Sequence, residues 1–194
     1  MLFDKITIIG IGLIGSSLAR VIMKKGLAGK LCARDKNKEY LAEARELGIV
    51  DEISEDLGKA VENADLVVYA TPVGAYGEIT RQIVPHLKKG VILTDVGSIK
   101  KYSIREIEEN LPENADVVVV PGHPVAGTEK SGPANGFDTL FEGRWYIVTP
   151  SSRSTEEAVA KVSELWAAAR MKVDKMTPEH HDKVMAAVSH LPHL

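Results

Sequence analysis

Lys5 to Arg20 reads KITIIGIGLIGSSLAR. An apolar run, Ile6 to Ile9, enters a glycine turn, Gly10-Ile11-Gly12-Leu13-Ile14-Gly15. A helical pattern follows, with Leu13, Ile14, Leu18, Val21 and Ile22 on one stripe. Strand, glycine turn and helix in that order are the context in which G-x-G-x-x-G has chemical meaning. Gly10 permits the tight turn, Gly12 lets the backbone approach a pyrophosphate, and Gly15 lets the helix pack close to the strand. The helix start then offers unpaired N–H groups and a positive dipole end to phosphates. Glycine turns also occur as plain structure, but this one sits on the first strand of the chain, which favours a dinucleotide site.

Outward from that turn, Lys30 to Arg34 reads as a second strand ending at Asp35, 20 residues after Gly15. A dinucleotide fold places there the carboxylate that accepts from the ribose 2′-OH. A carboxylate at Asp35 repels a 2′-phosphate and favours NAD. Arg34, Lys36 and Lys38 surround it with cations, so NADP stays open, and so does a strand-end or helix-capping role for Asp35.

Further along, Asn37–Leu47 reads as a helix ending at Gly48, and Asp56–Asn63 as a short one. Leu66–Ala70 is a continuous apolar strand, closed by Thr71-Pro72-Val73-Gly74, and a helix is expected over Ala75–Leu87. Val91–Thr94 is the next strand and runs into Asp95-Val96-Gly97-Ser98-Ile99-Lys100. A helix to Asn110 and the VVVV strand Val117–Val120 follow. Alternating strands and helices at this spacing imply βαβ units and a parallel sheet. The expected fold is α/β, a Rossmann-type doubly wound, mainly parallel sheet. Thr71 and Pro72 lie at a strand's carboxyl end, the side where such sheets bind ligands.

The pattern then changes. Pro121–Gly143 has five glycines, three prolines and little periodicity, and it carries His123 just past a strand end. A loop of that length inside a compact domain is unusual and commonly functional. Trp145–Val148 resumes as a strand. Ser154 and Glu157 match a capping box for a helix with Ala158, Val162, Leu165 and Trp166 on one face. Met171–Lys175 reads as a strand. Thr177 as N-cap and Pro178 at N1 open a last helix carrying His180, His181 and His190.

Composition bounds the rest. The 194 residues are 44% hydrophobic and 26% charged, with a net charge of −3, ordinary for a soluble protein and without the basic bias of a nucleic-acid or membrane-surface binder. No apolar run approaches the ~18 residues of a membrane helix, and no secretory leader pattern is visible, so the expectation is a cytoplasmic protein. Cys32 is the only cysteine and reads as core. Adjacent His180 and His181 point to different helix faces, and Pro192 lies between His190 and His193. No metal site is expected. His123 is the better chemical candidate. Oxidation of an alcohol needs a group to take the hydroxyl proton, and an imidazole titrates near neutrality. Ser98 follows the preceding strand on the same side. Its hydroxyl either orients the histidine or caps the helix that begins near Ile99.

The chain resembles the nicotinamide-binding part of the prephenate dehydrogenase family, arogenate-using relatives included. The blocks that carry the resemblance are GIGLIGSS at Gly10–Ser17, Asp35, TPV at Thr71–Val73 and DVGSIK at Asp95–Lys100. GHPVAGTEKSG at Gly122–Gly132 and SHLPH at Ser189–His193 are the most specific. The resemblance covers essentially the whole chain. It implies NAD-dependent oxidative decarboxylation of prephenate to 4-hydroxyphenylpyruvate, on the route to tyrosine. It also implies His123 as the catalytic histidine on the ring hydroxyl, Ser98 as its support, and His190, Thr128 and Glu129 as substrate-pocket residues. Gly10, Gly12, Leu13, Ile14, Gly15, Asp35, Thr71 and Pro72 would hold the cofactor. The division it implies is a nucleotide domain over 1–175 and the first helix of a C-terminal helical domain over 176–194. In relatives that helical domain makes the homodimer and supplies a substrate-binding arginine beyond Leu194, so the chain as it stands is expected to have little activity alone. Arogenate dehydrogenase is the alternative within the family, and a non-catalytic NAD-binding module is the alternative from another class. The GHPVAGTEKSG block argues against β-hydroxyacid and glycerol-phosphate dehydrogenases.

Overall fold

Six parallel strands form the central sheet of the computed structural model, which describes residues 1–190. In chain order these are β1 (Phe3–Ile9), β2 (Ala28–Arg34), β3 (Glu52–Ser54), β4 (Leu66–Tyr69), β5 (Val91–Asp95) and β6 (Val117–Val120). Their spatial order is β3-β2-β1-β4-β5-β6, with Ile9 opposite Arg34 on one side and Tyr69 on the other. The order reverses between β1 and β4. That is the switch point at which doubly wound sheets open a crevice for ligands.

The inner strand β4 (LVVY) is apolar throughout and buried, because both faces of the sheet are covered. Alternate residues of the strands enter two separate cores. Ile6, Ile8, Leu66, Val68, Ile92 and Val120 face one side, whereas Ile9, Val67, Tyr69, Val91, Leu93 and Val119 face the other. The first face packs on α1 (Leu13–Lys25) and α2 (Lys38–Glu46), the second on α3 (Leu57–Val61), α4 (Tyr76–Ile83) and α5 (Lys100–Glu108). Full burial of each such side chain contributes about 1.5–3 kcal/mol. Cys32 is buried among them, and burial together with the Glu52 carboxylate pushes its thiol up to about 12.

Two elements depart from the sequence expectation. β3 is a three-residue edge strand, too short to show a periodicity. The helix expected over Ala75–Leu87 is α4 with a 3-10 turn at each end, Val73–Ala75 and Val84–His86. Pro85 lacks the N–H that a continuous helix would need.

Beyond β6, the long loop is partly structured. β7 (Gly122–Pro124) pairs antiparallel with β8 (Trp145–Val148), which pairs parallel with β9 (Lys172–Lys175). This second sheet and α6 (Glu156–Ala168) share a core around Trp166. The indole stacks on Tyr146 at 4.7 Å and meets Phe141 edge-on at 5.2 Å. The N-cap of α6 is Thr155, whose hydroxyl accepts from the Ala158 N–H at 3.2 Å. The N-cap therefore lies one residue later than expected, and with Ala158 at the third helical position the capping box expected from Ser154 and Glu157 does not form. Ser154 Oγ instead donates to the Val119 carbonyl, tying the helix start to β6.

The last helix, α7 (Pro178–His190), starts as expected, with Thr177 Oγ1 accepting from the His180 N–H at 3.2 Å. It packs on α5 and leaves Val184 and Met185 half-buried. Among the described residues no helix is long and apolar enough to cross a membrane.

Candidate active site

The glycine turn adopts the geometry its spacing implies. Gly10 has φ +100°, and a Cβ there would lie 2.5 Å from the Ala70 carbonyl oxygen and 2.9 Å from the Thr71 nitrogen. A Cβ on Gly15 would lie 2.0 Å from the Gly10 carbonyl oxygen. A Cβ on Gly12, the N-cap of α1, would meet nothing within 4 Å. So two glycines are required by the protein's own packing, and the third faces open space at the start of a helix with no side-chain cap. Leu13, Ile14 and Gly15 form that first turn, where backbone N–H groups lack intrahelical partners. Thr71 Oγ1 is buried beside it without a hydrogen-bond partner. An open cradle of N–H donors with an orphaned hydroxyl alongside fits the phosphates of a dinucleotide.

Asp35 closes the other side of the turn. Its Oδ2 accepts from the Ile11 N–H at 2.8 Å and its Oδ1 from the Asn37 N–H at 2.9 Å. The cap of α2 is Asn37, whose side chain accepts from Glu39 and Tyr40, so Asp35 does not cap that helix. Each Asp35 oxygen keeps a lone pair for a further donor. Of the nearby cations, Lys38 pairs with Glu55 at 2.6 Å.

The second half of the site is built on a buried ion pair. Lys100, fully buried, donates from Nζ to both oxygens of Asp95, at 2.8 and 2.6 Å, and to the Gly122 carbonyl at 2.6 Å. Asp95 also accepts from the N–H groups of Gly97 and Gly122. Every donor of the ammonium is used, which is the condition for burying such a pair. The effect is to clamp the start of β7 against the end of β5 and so to fix the next residue, His123.

His123 is half-buried. Burial first, then the Lys100 ammonium and His181, push its imidazole down to about 4, with Asp182 opposing, so it is neutral at pH 7. Its Nδ1 lies 2.9 Å from His181 Nε2, and the rings meet edge-on at 5.1 Å. His181 Nδ1 lies 2.8 Å from Asp182 Oδ1. Asp182 in turn caps α5, accepting from Lys100 N at 2.8 Å and Lys101 N at 3.0 Å.

Ser98 is exposed on the loop before α5 and makes no hydrogen bond among the described residues. It does not cap that helix either: the N-cap position is Ile99. Thr128 and Glu129 line one cavity of about 450 Å³ with Lys130, Asn135 and Phe137. The His190 side chain lies outside the described residues.

The glycine turn, Asp35, Thr71, Ser98 and His123 thus all follow the carboxyl ends of strands of one parallel sheet. A family model for the prephenate dehydrogenase nucleotide-binding domain matches residues 18–175. The chain belongs to the prephenate dehydrogenase family. It is 40% identical to a cyclohexadienyl dehydrogenase of Zymomonas mobilis, over 99% of this chain and 64% of that protein. It is 32% identical to a prephenate dehydrogenase of Bacillus subtilis, over 98% of this chain and 51% of that protein. The chain therefore spans between half and two thirds of the length of these relatives. In structure it is similar to a prephenate dehydrogenase of Aquifex aeolicus in complex with hydroxyphenyl propionate and NAD+. The TM-score is 0.88 and the identity 34%, covering 98% of this chain and 65% of that one. It also superposes on an arogenate dehydrogenase of Synechocystis, with a TM-score of 0.88 at 29% identity, covering 97% of this chain and 65% of that one.

Sequence reasoning passed over Asp95, Lys100, His181 and Asp182 in this prephenate dehydrogenase family member. A signal existed for the first pair, because an acidic residue ending an apolar strand five positions before a lysine can close an ion pair. His181 was weighed only as a metal ligand. Its partner His123 is 58 residues away, a separation that no local pattern spans.

Proposed function

We propose that this chain carries the cofactor site and the base of an NAD-dependent dehydrogenase that converts prephenate to 4-hydroxyphenylpyruvate. The observation that carries the reading is His123. It is a neutral, half-buried imidazole on the carboxyl side of the sheet that bears the glycine turn. The substrate of the Bacillus subtilis relative and the NAD+ of the Aquifex aeolicus complex support it.

In this reading Gly10, Gly12, Leu13, Ile14 and Gly15 hold the pyrophosphate, Thr71 and Pro72 wall the site, and Asp35 accepts from the ribose hydroxyls. When bound, NAD+ is the acceptor of the hydride that leaves ring carbon C4. His123 takes the hydroxyl proton as the C4 carbonyl forms. The bond from the ring to its carboxylate then breaks, CO2 leaves, the electron pair completes an aromatic ring, and the C4 oxygen takes the proton back from His123 to give the phenol. Aromatisation makes the sequence downhill, so the protein chiefly orients C4 and supplies one base. Thr128, Glu129 and His190 would border the substrate and Ser98 would contact its hydroxyl.

The fold match to an arogenate dehydrogenase favours a second reading, in which the substrate side chain bears an amino group. Titration calorimetry of this chain with NAD and NADP, followed by turnover with prephenate and with arogenate of the chain extended by the C-terminal part its relatives carry, tests both. The expectation is tighter binding of NAD than of NADP, prephenate-dependent formation of NADH, and loss of that turnover in His123→Asn with NAD affinity kept. NAD binding without NADH formation from either substrate would leave a nucleotide-binding module.

A further inference from the structure

We propose that His181 and Asp182 are positioning residues for His123: they hold it in the one tautomer that carries hydrogen on Nδ1 and leaves Nε2 bare to accept a proton. The proposal rests on the reading of His123 as the base. It uses two residues of α7 outside the glycine turn and the GHPVAGTEKSG loop.

The hydrogen bonds run in one direction only. Asp182 accepts two backbone N–H groups at the start of α5, from Lys100 at 2.8 Å and Lys101 at 3.0 Å. Burial works to raise its carboxyl, but those N–H groups and His181 outweigh burial and hold it below the usual range. The helix dipole adds to this. An ionised carboxylate accepts and cannot donate. The 2.8 Å contact with His181 Nδ1 therefore requires hydrogen on that nitrogen. His181 has no exposed surface, and burial pushes its imidazole down despite Asp182, so the ring is neutral and its Nε2 is a lone pair. The 2.9 Å contact from that lone pair to His123 Nδ1 requires hydrogen on His123 Nδ1. A neutral His123 then has its lone pair on Nε2.

The same chain prepares for the product of proton transfer. Once His123 takes the hydroxyl proton it is a cation. The charged groups that act on it are the Lys100 ammonium and the Asp182 carboxylate. Lys100 is held by Asp95 at 2.8 and 2.6 Å, so the carboxylate left to answer the new charge is Asp182, one imidazole away. Fixing a histidine's tautomer and stabilising its imidazolium is the work that a buried aspartate does in hydrolase triads. Here a second histidine is interposed.

Two substitutions separate this role from simple packing. His181→Leu fills the space without an acceptor. His181→Gln offers an amide oxygen close to where Nε2 stood. In 15N-histidine spectra of the folded chain at neutral pH, the parent and His181→Gln should show His123 protonated on Nδ1 and bare on Nε2. His181→Leu should show mixed or reversed tautomers. With prephenate, in the chain extended by the C-terminal part its relatives carry, His181→Leu should lose roughly 10²-fold or more in kcat with KM little moved, and His181→Gln should recover at least about tenfold of it. Asp182→Asn, near-isosteric, should also release the tautomer and serves if His181→Leu does not fold. Hydrogen on Nε2 in the parent, or an unchanged tautomer in His181→Leu, would overturn the proposal. Normal turnover by His123→Asn would instead defeat the base reading and leave the tautomer result standing.

Discussion

Gly12 and Gly15 are three residues apart and chemically identical, yet of the two only Gly15 is required by the fold. A methyl group on Gly15 would sit 2.0 Å from the Gly10 carbonyl oxygen, which is backbone and cannot swing away. Gly15→Ala should therefore cost about 3 kcal/mol of stability as an overpacked site, with nucleotide binding lost alongside. A methyl group on Gly12 meets no protein atom within 4 Å. Gly12→Ala should fold within about 0.5 kcal/mol of the parent and yet bind NAD roughly tenfold or more weakly, a loss of about 1.4 kcal/mol. Urea denaturation and calorimetry read the two effects separately. Equal NAD affinity in Gly12→Ala would mean that the open space is not where the pyrophosphate lies. These assignments were legible in the spacing of the glycines, because G-x-G-x-x-G encodes local geometry. Lys100 was legible only in part: its spacing from Asp95 admits an ion pair, but only the fold reveals that the pair is buried and that the Gly122 carbonyl accepts from the same ammonium.

Helix starts mark the limit of local reading at the level of elements. The start of α7 followed from Thr177 and Pro178, because cap and first turn are adjacent in sequence. At α6 the Ser154-Thr155 pair offered two caps, and Ser154 was drawn away by the Val119 carbonyl of β6. Thr155→Ala should lower stability by about 1 kcal/mol, read as a shift of the urea midpoint at constant slope. No shift there would return the cap to Ser154. At the start of α5 the cap that the sequence offered, Ser98, is not used: the acceptor is Asp182, 82 residues from Lys100. That bond makes the position of α7 on α5 and the setting of His123 a single arrangement.

For the molecule as a whole, pH is the sensitive variable. His123 falls from an ordinary 6.5 to about 4 on folding, and His181 is also lowered. A histidine held neutral in the fold takes up its proton on unfolding. The stability it confers is complete above about 6.5 and is lost as pH falls through 6.5 towards 4. From pH 7.5 to 5 the loss should be on the order of 1–2 kcal/mol. Lowered carboxylates such as Asp182 act in the same direction at lower pH. Urea midpoints measured at both values should show the loss in the parent and a smaller one in His123→Gln. Stability that rises on acidification, or the same slope in the variant, would contradict the environment described for His123.

The sequence by itself determined the parallel sheet, its helices and the glycine turn. Those are set by periodicity, glycine geometry and capping between near neighbours, and apolar strands such as Leu66–Tyr69 can be satisfied only when covered on both faces. Tertiary structure alone decided how the histidine is held. The His123–His181–Asp182 line and the Asp95–Lys100 clamp join residues from β5, β7, α5 and α7. What makes each favourable is burial that leaves donor and acceptor only each other. That condition exists once the chain has folded and is written in no single stretch of it.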